Sequence, residues 1–151
     1  MTAKSYALTF DGYWDEPNIS GLPATSGIYG VYPCTYNESG RTVSVSRLLY
    51  IGESSDVQGR VAGHEKLPAW KRQLKQGEVL CFNAAPISPT ADRERAEAAM
   101  IFKHKPPCNT EYVDYFPFDT TTVTTSGKNA LMHAFFTVTY TEKTPAPARR
   151  W

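Results

Sequence analysis

The sequence predicts an α+β fold, with a small mixed and mainly antiparallel sheet flanked by helices, and three observations carry that expectation. Runs rich in β-branched and aromatic residues occur at 27–32, 42–51, 79–85, 120–125 and 135–140, each bounded by Gly, Pro or polar turn residues. Between them, 57–64 and 90–105 change to a helical period. The first two of those runs are separated only by the polar stretch 35–40, which makes a hairpin their natural arrangement. With 151 residues, 41% hydrophobic and 21% charged, the chain has the size and composition of one globular domain with its own core.

The elements follow in order. Residues 5–10 alternate weakly and predict an edge strand, followed by a turn-rich stretch with Gly12, Pro17, Asn18, Gly21 and Pro23. Gly27–Tyr32 predicts a strand stopped by Pro33, and 42–51 predicts a second strand ending at Gly52. In the next segment Val57, Arg60, Val61 and His64 fall at i, i+3, i+4 and i+7, one face of a helix that Ser54 or Ser55 can cap. Gly63 lowers helix propensity there by about 1 kcal/mol relative to Ala. Pro68 suits the first turn of a second helix carrying Trp70 and Leu74 and closed by Gly77. A third strand over 79–85 ends at Pro86, and Thr90 caps a helix that runs to about Lys105 before Pro106-Pro107. The last third predicts two more strands with a short helix over 128–134, and a flexible end over the last ten residues.

Composition bounds function only loosely. Sixteen Lys and Arg balance fifteen Asp and Glu, a net charge of +1, which argues against attachment to nucleic acid or membrane by bulk charge. Cys34, Cys81 and Cys108 lie far apart without a C-x-x-C, so neither a disulfide framework nor a zinc knuckle is signalled, and three unpaired thiols are expected. No signal-peptide pattern or apolar membrane span is evident, and the expected location is cytoplasmic.

Several polar residues stand where apolar ones are expected. Arg60 and His64 share the face of Val57 and Val61, and burying such groups without partners costs several kcal/mol. Glu97 lies in the middle of a helix with Arg93 one turn before it. It can form an ion pair with Arg93 on a solvated face, or it can project into a cleft and hold a hard cation such as Mg²⁺. Asn109 follows the helix end as a turn residue, and Tyr29 and Tyr50 stand on adjacent predicted strands.

Together these residues resemble the GIY-YIG nuclease family. The first tripeptide is Gly27-Ile28-Tyr29 and the second Tyr50-Ile51-Gly52; Arg60 lies ten residues beyond Tyr50, and His64 four further on. Glu97 matches the family's metal-binding glutamate, with Pro106 and Asn109 following it. The resemblance spans 22–109 within a single domain covering 1–151. The separation of the two tripeptides is wider than usual, which implies an enlarged hairpin over 33–47, and 1–21 and 110–151 read as decorations.

The resemblance implies an α/β sandwich and a divalent-metal-dependent endonuclease that hydrolyses phosphodiester bonds, with DNA the preferred substrate. Its cofactor would be Mg²⁺, for which Mn²⁺ can substitute, held by Glu97. Arg60 suits the non-bridging oxygens because its planar fork stays charged and matches phosphate geometry. Tyr29 would be the general base assisted by His64, Tyr50 would position water or phosphate, and Asn109 would hold the site together or touch the substrate backbone. Lys66, Lys71 and Arg72 would join Arg60 in a local basic groove despite the near-neutral whole, and Arg41, Arg47 and Asn37 are candidates for base contacts. The chain would act as a monomer, or as a homodimer to cut both strands. A non-catalytic nucleic-acid-binding module of the same fold and an RNA-directed nuclease are the alternatives.

Overall fold

Strand β2 (Gly27–Asn37) organises the sheet in the computed structural model, which describes residues 2–144. The other strands are β1 (Lys4–Asp15), β3 (Thr42–Val45), β4 (Tyr50–Ser54), β5 (Val79–Pro86), β6 (Thr121–Gly127) and β7 (Phe135–Val138). They form one sheet in the order β3-β2-β5-β1-β6-β7, and β4 pairs with the first half of β2, beyond the end of β3. All neighbours run antiparallel except β1 and β6. The helices are α1 (Val57–Val61), α2 (Leu67–Arg72) and α3 (Thr90–His104). The fold is mixed α+β, as the patterning predicts.

Alternation along β2 and β5 explains why both sheet faces are covered. Ile28, Tyr32 and Ala85 point into a core with Ala96, Met100 and Ile101 of α3. Tyr29, Val31, Leu80, Phe82 and Ala84 point the other way, against Val57 and Val61 of α1 and Trp70 of α2. Every residue from Gly27 to Cys34 is buried, so this strand reads as a continuous apolar run rather than an alternating one. Trp70, Tyr29 and Phe82 are fully buried, and each such side chain contributes on the order of 2–3 kcal/mol.

The structure corrects several expectations. β1 is a twelve-residue strand between β5 and β6, not a six-residue edge strand. Pro33 does not stop β2, because β2 changes partner there from β4 to β3. The Pro33 carbonyl accepts from the Ser46 N–H at 3.1 Å in the intervening loop, and a missing proline N–H leaves no ladder bond unmade on that side. The strand expected over 42–51 is broken at 46–49 into β3 and β4. Asp56, rather than Ser54 or Ser55, caps α1 by accepting from the Gly59 N–H, and α3 has Pro89 in the cap position with Thr90 as its first residue. Residues 128–134 form turns without a helix. The flexible end predicted for the last ten residues lies largely at 145–151, outside the described residues.

Cys34 and Cys81 form a disulfide across β2 and β5 with Cα atoms 6.1 Å apart, which replaces the expectation of three unpaired thiols; Cys108 is free. The pairing is invisible to sequence spacing because it depends on register, which places Cys34 opposite Val79 and Tyr32 opposite Cys81. No described helix is long and apolar enough to cross a membrane.

Two buried polar side chains tie the C-terminal third to the rest. Asn83 accepts from the Gly30 N–H at 2.7 Å and donates to the Lys128 carbonyl at 2.8 Å. Arg95 of α3 donates to Thr121 Oγ1 at 2.8 Å and to the carbonyls of Thr2, Asp119 and Thr120. Residues 110–144 are therefore part of the domain rather than an appendage.

Candidate functional site

Among the described residues β4 pairs only with β2, and around its outer edge the two layers of side chains meet. Tyr50 comes from the α1/α2 face, while Glu97 reaches the same place from α3. Tyr50, Lys66, Glu97, Asn109 and Glu111 line one cavity of about 150 Å³. A larger open cavity of about 570 Å³ adjoins it through Thr110 and Glu111.

The edge of β4 is finished by Asn109. Its Oδ1 accepts from the Ile51 N–H at 2.9 Å and its Nδ2 donates to the Ile51 carbonyl at 3.0 Å, so one side chain stands in for a neighbouring strand. Asn109 thus clamps the edge of β4. Asn109→Ala leaves both backbone groups of Ile51 without those partners and should cost about 1–3 kcal/mol, read as a lower Tm.

The two tripeptides lie side by side because Tyr29 pairs with Gly52 and Val31 with Tyr50. Tyr29 lies over Gly52, where an added methyl would stand 2.4 Å from Tyr29 Cζ and Oη. Glycine at 52 is therefore required by close approach. Gly52→Ala should force the Tyr29 ring aside, costing about 1–3 kcal/mol in stability. If Tyr29 acts in a reaction, the same variant should lose at least about tenfold in rate, measured on folded protein.

His64 completes an aromatic cluster with Tyr50, Tyr29 and Trp70, at ring-centroid distances of 5.7, 6.3 and 4.5 Å. It does not share a helix face with Arg60. α1 ends at Val61, and Gly63, at φ +70°, turns the chain so that His64 enters the core from the loop. Its Nδ1 accepts from the Lys66 N–H at 3.0 Å, which puts the proton of the neutral ring on Nε2. Nε2 and Trp70 Nε1 are buried without a partner among the described residues. The hydrogen bond from His64 to Tyr29 that would help a tyrosine base is absent from the hydrogen bonds among the described residues.

Burial, followed by the Arg60 charge, lowers the His64 pKa from 6.5 to about 4. In the pH range between those values the unfolded chain binds the proton that the folded chain refuses. The resulting stabilisation is complete above about pH 6.5 and is lost as pH falls through about 4. His64→Gln should flatten this slope, so its Tm should fall less than that of the wild type on acidification. The shift corresponds to roughly 3 kcal/mol.

Arg60 stands on the last turn of α1, where its guanidinium makes a bidentate pair with Glu65 at 2.6 and 2.7 Å. Glu97 makes no hydrogen bond or ion pair among the described residues. Its expected partner Arg93 instead binds Glu53 and donates to Ser26 Oγ at 2.9 Å, which removes the helix-surface ion pair as an account of Glu97. Burial and the charges of Glu53 and Glu111 raise the Glu97 pKa to about 8. Burial also pushes Tyr50 up to about 12 and Tyr29 higher still, while Arg60 pulls both back.

Of the expected phosphate-binding cations, Arg60 and Lys66 stand at this site, with Lys66 Nζ 5.9 Å from the Tyr50 ring centre. Lys71 is turned away to pair with Glu16 at 2.7 Å, and Arg72 is exposed on α2. Arg47 is held by Glu78 and the Gln73 carbonyl, and Asn37 caps its own turn by accepting from Ser39 Oγ and the Gly40 N–H. Arg41 is exposed at positive φ in the hairpin turn. Sequence reasoning missed Glu65 and Glu111, because each acquires its meaning only from a neighbour brought in by the fold. Glu65, five residues beyond Arg60 and past a helix end, gives no periodic signal.

Comparisons of the chain with protein families, with characterised proteins and with solved structures find no match.

Proposed function

We propose that the protein is a divalent-metal-dependent endonuclease of the GIY-YIG kind, acting on phosphodiester bonds, with DNA the first substrate and RNA the alternative. The observation that carries this reading is the meeting of Tyr29, Tyr50, Arg60, His64 and Glu97 around one strand edge, with Tyr29, Tyr50 and His64 in one cluster of rings.

The donor set at Glu97 fits a hard cation. The carboxylate is largely buried, faces a polar cavity and has no cationic partner among the described residues, so a divalent ion would supply the missing charge. No group of three or more His, Cys, Asp or Glu side chains suited to a metal occurs among the described residues. Mg²⁺ held by one carboxylate, with water and substrate oxygens completing its shell, matches that arrangement, and Mn²⁺ can replace it. When bound, such an ion supplies Lewis acidity toward the leaving oxygen.

The remaining work falls to the chain. Arg60 would grip the non-bridging phosphoryl oxygens through its fork, and Lys66 would add charge at the cavity wall. Tyr29 Oη would take the proton of the attacking water, with His64 keeping the ring cluster in place and Tyr50 positioning water or phosphate. Tyr29 stays protonated in the resting site, since burial outweighs Arg60. Substrate and cation must therefore bind before it serves as a base. A binding module that never cuts is the second reading, favoured by the closed Arg60–Glu65 pair.

The test is incubation of supercoiled plasmid, circular single-stranded DNA and structured RNA with the protein in Mg²⁺ or Mn²⁺, with chelator controls. Metal-dependent nicking or cutting of any of the three supports the nuclease reading. Binding without cutting in every case overturns it in favour of the binding module. A monomer would nick duplex DNA, whereas a homodimer would cut both strands.

A further inference from the structure

We propose that Glu65 is a resident carboxylate occupying the phosphate seat of Arg60, so that substrate binds by exchanging one oxyanion for another. This rests on the reading of the β4 edge as a phosphodiester site and names the residue that sets affinity there. A carboxylate and a phosphate present the same paired oxygens to a guanidinium, and Glu65 uses both, with Oε2 and Oε1 at 2.6 and 2.7 Å from the two terminal nitrogens of Arg60. While that pair is closed, neither nitrogen is available to a second anion in the same fork geometry.

The pair is placed to open. The Glu65 side chain is 65% exposed and that of Arg60 38%, so breaking it buries no charge and leaves no core cavity. Glu65 follows the turn at Gly63, whose φ is +70° and beside which a Cβ would meet nothing within 4 Å, so the turn is open to solvent on that side. His64, by contrast, is anchored in the aromatic cluster, so the pair opens by movement of the exposed Glu65 and Arg60 side chains. Glu65 Oε2 lies 3.7 Å from His64 Nδ1, which places the carboxylate beside the mouth of the cluster, and the neutral ring, already accepting from the Lys66 N–H there, does not hold it. Acid does not open the pair in any ordinary range, because the hydrogen bonds from Arg60 hold the Glu65 carboxyl down at about 2. A competing oxyanion does. An exposed pair of this kind opposes binding only modestly, and a polyanion overcomes it more readily than a small singly charged ligand.

The experiment is a binding measurement without metal, on the full chain, using a short fluorescent single-stranded DNA oligonucleotide and, in parallel, inorganic pyrophosphate. Glu65→Gln should tighten binding of both probes by about fivefold. Glu38→Gln, an exposed turn carboxylate beyond the far end of β2, changes net charge equally and should leave affinity nearly unchanged. In an Arg60→Ala background the effect of Glu65→Gln should vanish, because the two residues act as one unit. Equal effects of Glu65→Gln and Glu38→Gln, or persistence of the effect without Arg60, would overturn the proposal, as would failure of both probes to bind any variant. The nuclease reading is scored separately. If the wild type cuts nucleic acid in Mg²⁺ but Glu65→Gln binds no better than Glu38→Gln, only the Glu65 proposal falls. Tighter, Arg60-dependent binding by a protein that never cuts upholds the Glu65 proposal and removes the nuclease.

Discussion

Glu97→Gln should reduce metal-dependent cleavage by at least about a thousandfold while leaving the fold intact. The two halves of this expectation have different origins. Loss of activity follows because an amide is a poor ligand for a hard cation, and no group of three or more His, Cys, Asp or Glu side chains suited to a metal stands among the described residues to take over. Retention of the fold follows because Glu97 makes no hydrogen bond or ion pair among the described residues, and above a pH of about 8 the protein bears the cost of burying its charge beside Glu53 and Glu111. A neutral isostere relieves that cost, so the variant should melt no lower than the wild type at pH values above the Glu97 range. Circular dichroism melts alongside a plasmid assay in Mg²⁺ distinguish the outcomes. An unfolded variant would mean that Glu97 is structural, and wild-type cutting would remove the metal assignment.

Arg60→Ala should lower the cleavage rate by roughly a hundred- to a thousandfold, the loss typical of deleting one charged or donor group aimed at developing negative charge. Arg60→Lys should recover little of it, since a point charge cannot reproduce the two-pronged geometry. Stability should hardly move in either variant, because the Glu65 pair is exposed and such pairs contribute little. Single-turnover rates at saturating substrate separate this from weaker binding. A variant that binds less but cuts at the wild-type rate once saturated would confine Arg60 to docking.

The sequence carries the local features well and the long-range ones poorly. The hairpin, α2 behind Pro68, β5 and α3 are readable because β-branched runs, proline positions and alanine-rich periodicity act over a few residues. The pairing of Tyr29 with Gly52 is likewise implied once 27–32 and 50–54 are placed as adjacent antiparallel strands. The helix face shared by Val57, Arg60, Val61 and His64 fails because α1 is one turn long, and Gly63 redirects the chain before the fourth residue. The Arg93–Glu97 spacing suggests a pair along one helix, yet Glu53 on another strand wins Arg93. The Cys34–Cys81 pairing and the Asn109 clamp depend on which strands become neighbours, and no short window of sequence contains that information. β1 reads as a weak edge strand because its mixed polar character fits an edge by itself, whereas its partners β5 and β6 lie far along the chain.

That placement governs the order in which the molecule can be finished. Lys4 pairs with Thr121 and Phe10 with Gly127, so β1 waits for a strand made more than a hundred residues later. Until β6 arrives, β1 has one open side in the middle of what will become the sheet, held only through β5. A contact of such long sequence separation closes late and slowly, and the assembling chain exposes a sticky strand margin in the meantime. Trimming the protein to 22–109, the stretch that carries every residue of the catalytic reading, would discard β1, β6 and β7 together. The excised piece would expose the flank of β5 and offer it to other chains, with aggregation the foreseeable fate of a minimal domain cut from this sequence.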